Sequence, residues 1–392
     1  MSKIHYLWQF KTNLTMTIAQ KQFLELLRSG LWGKPADASL FEGDVDWKAI
    51  LRIAHQQTVS VHVADGIETL PPALCPSKTR IFKLAIRRTE NTLMHKLLNT
   101  TINHIVRALN AEGIPSVLLK GQGVAQNYRH PESRMCGDID LYVGEGNYRK
   151  ACEIIAGLST SGNAMGLETD MHQHLTLNDA EIEVHKMADC MNTSKQQRIL
   201  ESWIGSIMDM SAIPATSNSW NNDGTEICIP PHTYNAFYIL HHGVRHLASD
   251  GLGLRQVCDW AMYLNAHHSD IDAEALKEKL RIFKMDEIWN VFSQLVTDFL
   301  GFPEDKLPIP IKGNPTKKAN LLIKQIFYTG NFGQYAAKKI DTQEKKVIKR
   351  KWRNFLVESS RLFILFKISP KFTVPHTFGW FTRAIGRLFE KR

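Results

Sequence analysis

Residues 134–143 read RMCGDIDLYV. From Asp138 onward polar and apolar residues alternate, the period of a strand with one buried face. Asp138 and Asp140 therefore leave on one face, and Ile139 and Leu141 on the other. Two carboxylates held side by side repel unless something positive stands near them. A hard divalent cation such as magnesium takes oxygen ligands, often one or two carboxylates completed by substrate phosphates. The stretch thus predicts a half-buried strand that carries two candidate metal ligands.

The neighbouring segments build a small unit around it. SVLLK (116–120) predicts a short strand after Gly113-Ile114-Pro115, and GQGVAQNYRHP (121–131) a turn, a short helix and a proline stop. A helix is expected over 145–158. HQHLTLNDAEIEVHK (172–186) alternates around Asn178-Asp179-Ala180, which predicts a hairpin. Residues 113–190 thus form a mixed unit of three or four strands. Within the hairpin Glu183 is a candidate third carboxylate, with Glu181 as its rival two positions away and His185 on the same face. A third carboxylate from a neighbouring strand would complete a two-metal site. Upstream, LLKGQG (118–123) places Lys120 and two glycines, Gly121 and Gly123, between a strand and a helix start. Glycines let backbone N–H groups approach phosphate oxygens. No GxxxxGK[ST] stretch is present, so this is not a Walker A loop.

Helical periodicity flanks the unit on both sides. IAQKQFLELLRSGLW and DWKAILRIAHQQTVSVHVADGI, the latter after an aspartate cap, lead to a proline-rich break at 70–76 and a long helix over 77–112. Helical patterning returns from 195 to about 300, and LPIPIKGNP (307–315) reads as a linker. The expected organisation is an extension (1–15), a helical region (16–112), the α/β core (113–190), a helical domain (191–304), linker and helices (305–344) and a basic amphipathic tail (345–392). The fold class is α+β, a small mixed sheet between helical regions.

With 392 residues, 43% of them hydrophobic and 22% charged, the chain has the balance of an ordinary globular protein. No apolar run approaches the roughly 20 residues of a membrane span. The opening MSKIHYLWQFKTNLTM lacks the apolar core of a signal peptide, and Met16 is a candidate natural start. Six cysteines without a CxxC pair argue against a disulfide framework or a zinc ribbon, and predict free thiols in a cytoplasmic protein. Residues 345–392 hold 13 Lys/Arg against 2 Asp/Glu, whereas the rest of the chain holds 35 against 37. The basicity therefore belongs to the tail. Its basic, aromatic-rich pattern suits a helix packed on the body, a membrane-surface segment or a nucleic-acid contact.

The combination LLKG, QGVAQNYRHPESR, MCGDIDLYV and EIEVH resembles the polymerase-β-type nucleotidyltransferase superfamily, and more narrowly its uncharacterised bacterial group. Gly121 matches the turn glycine, Asp138 and Asp140 the metal pair, and Glu183 the later acidic residue. The superfamily usually has Gly-Ser or Gly-Gly at the turn, where this chain has Gly121-Gln122, and its gap to the first aspartate is shorter. The narrower group shares the Leu-Lys-Gly turn and a Tyr-x-x-Pro-x-x-Arg insertion, here Tyr128, Pro131 and Arg134. It also has a counterpart of GLGLRQVCDW (251–260).

The resemblance covers about 17–300. It implies a nucleotidyltransferase that uses two Mg²⁺ ions (Mn²⁺ being the alternative) at Asp138, Asp140 and Glu183. It would take an NTP such as ATP and an unidentified small-molecule, protein or RNA acceptor, whose proton Glu183 is a candidate to receive. Lys120, Gly121, Gly123, Arg134 and Gly137 would contact the phosphates, Arg134 by its forked geometry, and Tyr128 the base or sugar. His185, Arg255 and Asp259 are candidates for a supporting role around the site, although Arg255 and Asp259 also form an ordinary i,i+4 helix pair. His172 and His174 share a strand face and are weaker metal candidates. HHGVRH (241–246) spaces His242 and His246 by four residues but lacks the glutamate of the HExxH zinc motif. The competing expectation is a non-catalytic nucleotide- or nucleic-acid-binding module that acts through its basic tail.

Overall fold

In a computed structural model the described residues are 15–159, 165–191, 193–208, 210, 218–331, 359, 361–375 and 377. Strands β1 (Val117–Leu118), β2 (Asp138–Tyr142), β3 (Met165–Glu168), β4 (His172–Leu177) and β5 (Ala180–His185) form one sheet. Their spatial order is β1-β2-β5-β4-β3. β2 and β5 run parallel, and the other neighbours are antiparallel. The result is the mixed sheet between helical flanks that the sequence predicts. The β4–β5 turn consists of Asn178 and Asp179, both at positive φ (51° and 64°), a conformation that Asn and Asp tolerate better than most residues. β3 exceeds the expected three or four strands. It is an edge strand with every residue exposed, so no buried alternation marks it in the sequence.

A second hairpin, β6 (Asn218–Asn222) and β7 (Thr225–Ile229), corrects the reading of 195–300 as helical throughout. Its turn is Asp223-Gly224, both at positive φ, which is a strong hairpin signal. The hairpin docks on the long helix Lys78–Ala111. Asn222 Nδ2 donates to Asn99 O (2.9 Å) and Asn103 Oδ1 (2.7 Å), and Arg107 Nε donates to Thr225 Oγ1 (2.8 Å).

That long helix closes the back of the sheet. Leu98, Ile102, Ile105 and Leu109 fall on one helical stripe and pack against Ile139, Leu141, Ile182 and Val184. The apolar residues of β2 and β5 thus face a core, and the acidic ones face the opposite way. A larger core joins the helices from both ends of the chain, including Phe23, Ile50, Trp260, Trp289 and Leu322. Buried Gln57 ties its parts together, donating to Ile326 O and accepting from Leu254 N, both at 2.9 Å. Asp46 caps helix Trp47–Gln56, as the sequence predicts, and Thr17 caps helix Ile18–Trp32. Thr58, at φ 58°, separates Trp47–Gln56 from Ser60–Ile67.

Part of the basic tail belongs to this core. Residues 361–368 and 370–375 are helical, and Leu362, Ile364, Leu365, Ile368 and Phe372 pack inside. Lys318 Nζ donates to Ile368 O at 2.8 Å. The rest of the tail, and the extension except for Thr15, lie outside the described residues. Among the described residues no helix is long and apolar enough to cross a membrane, and none of the six cysteines forms a disulfide.

Helices Ile18–Trp32 and Ser60–Ile67 cross where two glycines meet backbone. A Cβ on Gly30 would overlap the carbonyl of His62, and one on Gly66 the carbonyl of Leu26. The opposing atoms are backbone and cannot rotate away. Gly66→Ala should therefore destabilise the protein by about 2 kcal/mol despite alanine's better helix propensity. Urea unfolding followed by circular dichroism checks this; an unchanged midpoint would refute the close crossing.

Candidate functional site

Parallel pairing of β2 with β5 sets Asp138 opposite Glu181 and Asp140 opposite Glu183. Ligand oxygens of Asp138, Asp140 and Glu183 lie within 4.8 Å of one another. Glu181 is exposed and stands outside that group. Asp140 is fully buried, and its Oδ2 has no hydrogen-bond partner. A buried carboxylate oxygen left open beside two further carboxylates suits a divalent cation.

The positive charge that these carboxylates require is already present in part. Lys120 Nζ stands 3.0 Å from Asp140 Oδ1, and His185 Nε2 lies 3.1 Å from the same oxygen and 3.3 Å from Glu183 Oε2. Burial alone would raise the Glu183 carboxyl, but the His185 hydrogen bond and the nearby Lys120 and His172 hold it at about 2. Burial likewise disfavours charge on Lys120 and His185, yet the carboxylates raise both above their ordinary values. His172 and His174 complete the surround, at 3.8 and 3.6 Å from Glu183. His172, Glu183 and His185 form a second group whose ligand atoms lie as close as those of the carboxylates.

The turn before the short helix Gln122–Ala125 has a different construction from the one the glycines suggest. Gly121 has φ 62° and ψ −118°, a region open to glycine, and a Cβ there would stand 3.1 Å from Asp138 O. It lines the cleft. Gln122 is buried and donates to Asn99 Oδ1 (2.6 Å) and to His95 Nδ1 (3.1 Å), so the residue that replaces the usual Ser or Gly anchors the turn to the long helix. Gly123 packs on Ile229 of the hairpin and does not line the cleft. Gly137 is exposed on the rim.

Tyr128, Arg134 and Asp259 form a buried cluster of their own. Arg134 grips Asp259 with two prongs, Nε to Oδ1 at 2.7 Å and a terminal nitrogen to Oδ2 at 2.8 Å. Tyr128 donates its hydroxyl to Asp259 Oδ1 at 2.7 Å and stacks on His62 with ring centroids 5.0 Å apart. Burial opposes both charges of the pair, but each holds the other ionised, so Asp259 is lowered and Arg134 raised. Arg134 thus spends its fork on Asp259 although it borders the cleft, and Tyr128 does not line it. Arg255 donates to Met135 O at 2.9 Å and holds the approach to β2.

Helix His232–Ala248 supplies the far wall of the cleft, whose volume is about 470 Å³. His242 Nε2 lies 3.4 Å from Lys120 Nζ and 2.9 Å from His246 Nε2. Burial first, then Lys120, lowers His242 well below its ordinary value. Arg245 and His241 hold Asp189, at 2.7 and 2.6 Å. The sequence reading does not single out Asp189, because its partners stand more than fifty positions away. The i,i+4 spacing of His242 and His246 was visible in the sequence, but Lys120 as their neighbour was not.

A protein-family profile described as uncharacterised nucleotidyltransferase matches residues 43–301. No curated protein and no solved structure matches the chain.

Two stability measurements test these buried pairs. Asp259→Asn leaves the buried Arg134 charge uncompensated and should cost about 3 kcal/mol in urea unfolding; a change near zero would show that the pair is not what holds the insertion. Asp189 has an ordinary value of 3.8; burial would raise it, but His241 and Arg245 hold it at about 2. A depressed acid stabilises above its unfolded value and loses that contribution as pH falls through its folded one. The stability gap between wild type and Asp189→Asn should therefore be widest near neutrality and narrow below about pH 4. A gap that widens on acidification would contradict the sign.

Proposed function

The chain belongs to the family of uncharacterised nucleotidyltransferases, and on that premise we propose that it transfers a nucleoside monophosphate from an NTP to a hydroxyl acceptor, releasing pyrophosphate. The observation that carries this reading is the convergence of Asp138, Asp140 and Glu183 in the cleft, with one buried oxygen of Asp140 left unpartnered. Asp138, Asp140 and Glu183 would hold Mg²⁺, with Mn²⁺ as the alternative. When bound, such ions neutralise phosphate charge and lower the pKa of an acceptor hydroxyl.

The chain's own groups do the rest. Glu183, held at about 2, stays ionised and available as a ligand at neutral pH. His185 fixes the directions of Asp140 and Glu183 through its contacts to both. Lys120 reaches the cleft from the end of β1 and offers a fixed positive charge to the phosphates. Gly121 permits close approach of backbone beside Asp138. Tyr128, Arg134 and Asp259 act at one remove, since their polar groups are used on one another. The wall formed by His232–Ala248 would receive the acceptor, and the protein would work in the cytoplasm.

Purified protein, each labelled NTP, Mg²⁺ and a panel of hydroxylated metabolites, proteins and RNA ends supply the test. The expected result is a nucleotidylated product and pyrophosphate. Asp138→Asn/Asp140→Asn should lower the rate by about a thousand-fold or more, equivalent to about 4 kcal/mol of lost transition-state stabilisation. Neither NTP binding nor transfer across the panel would overturn the enzymatic reading, as would full activity in the double variant.

A further inference from the structure

A second set of metal-ligating side chains lies outside the cleft, where two helix ends meet. His232 begins helix His232–Ala248, His267 ends helix Leu254–His267, and Asp270 follows in the next turn. One ligand atom from each lies within 4.8 Å of the other two. The two imidazole rings stand 4.1 Å apart between centroids, tilted by 30°. None of the three lines the cleft.

The surroundings of both histidines fix which nitrogen is free to ligate. Asn127 Nδ2 donates to Val124 O at 2.9 Å, so its Oδ1 faces His267 Nε2 at 2.8 Å. That acceptor assigns the ring hydrogen to Nε2. His267 Nδ1 then points to Asp270 Oδ2, 3.2 Å away, about the spacing of two ligands on one ion with bonds near 2.1 Å. His232 Nδ1 lies 3.0 Å from the hydroxyl of buried Tyr263, so Nε2 is its remaining nitrogen. Imidazoles that bind metal characteristically keep a second nitrogen on a carbonyl or similar partner, which holds the ring in place.

We propose that His232, His267 and Asp270 bind one divalent first-row transition metal, with zinc as the leading candidate and water completing its coordination. The ion would pin the start of one helix to the end of the other. Those two helices carry His242 and His246, and Arg255 and Asp259, so the site would steady the far wall of the cleft.

Full-length protein stripped with a chelator tests this, titrated with Zn²⁺ by calorimetry and with Co²⁺ by visible absorption. Glu183→Gln serves as the background because it removes a ligand from both groups in the cleft. The expected result is one Zn²⁺ bound in the micromolar range with a melting temperature raised by several degrees. Adding His267→Ala or Asp270→Ala should weaken that binding at least about ten-fold. Asp270 is half exposed, so its variant keeps the core intact, and circular dichroism verifies both folds. Failure of wild type and Glu183→Gln to bind stoichiometric metal would reduce the cluster to a His267–Asp270 ion pair. Binding that persists unchanged in both added variants would place the metal elsewhere. Either outcome overturns the proposal.

Discussion

The parallel pairing of β2 with β5 is the constraint on which the rest depends. It sets fully buried Asp140 opposite Glu183, and a buried carboxylate costs several kcal/mol unless opposite charge and hydrogen bonds surround it. The nearby elements meet that demand. Two residues beyond β1, the Lys120 ammonium reaches Asp140, and the backbone of Leu119 donates to Asp140 O at 3.0 Å. β5 ends at His185, which contacts both carboxylates while its carbonyl accepts from Val143 N at 3.0 Å. The same register that aligns the acids therefore delivers the bases. What it leaves open is one oxygen of Asp140 and the Asp138 carboxylate at the cleft, where a cation could complete the charge balance.

Much of this was legible in the sequence because the relevant signals are local. Alternation over 138–143 and 172–186 predicts the strands, and the long helix expected over 77–112 is found at Lys78–Ala111. The spacing of Asp138 and Asp140 predicts their shared face. A shared strand face does not choose between Glu181 and Glu183; the resemblance points to Glu183, and Glu181 is exposed and stands outside the group of Asp138, Asp140 and Glu183. β3 was hidden because it buries nothing. The β6–β7 hairpin carried its Asp-Gly signal, but the surrounding helical pattern outweighed a two-residue cue. Long-range pairs such as Asp189 with His241 and Arg245 leave no local trace.

The roles of Gln122, Tyr128 and Arg134 follow from the same distinction. At the level of the chain, Arg134 before a D-x-D strand and a glycine turn before a helix both suggest contact with phosphate. Packing also gives the polar groups of this segment partners inside the protein. Arg134 and Tyr128 converge on Asp259, and Gln122 reaches back to His95 and Asn99. Each is a polar side chain taken out of water, and such a group must find a partner inside the protein or forfeit the hydrogen bonds it made outside.

These anchors also give a physical account of the long gap between Gly121 and Asp138. The small sheet and the helices that face it rest on two cores, one beneath the strands and one among the helices. A cleft between them keeps its shape only if something fixes one to the other. The gap supplies that bracket. Tyr128 and Arg134 carry it onto Asp259 of helix Leu254–His267, Arg255 of the same helix returns a bond to Met135 O, and Asn127 reaches that helix's last residue, His267. A shorter turn would bring Gly121 to Asp138 without reaching the helix. The extra residues thus set the distance between the carboxylates and the histidine-bearing wall, and with it the space in which any substrate must fit.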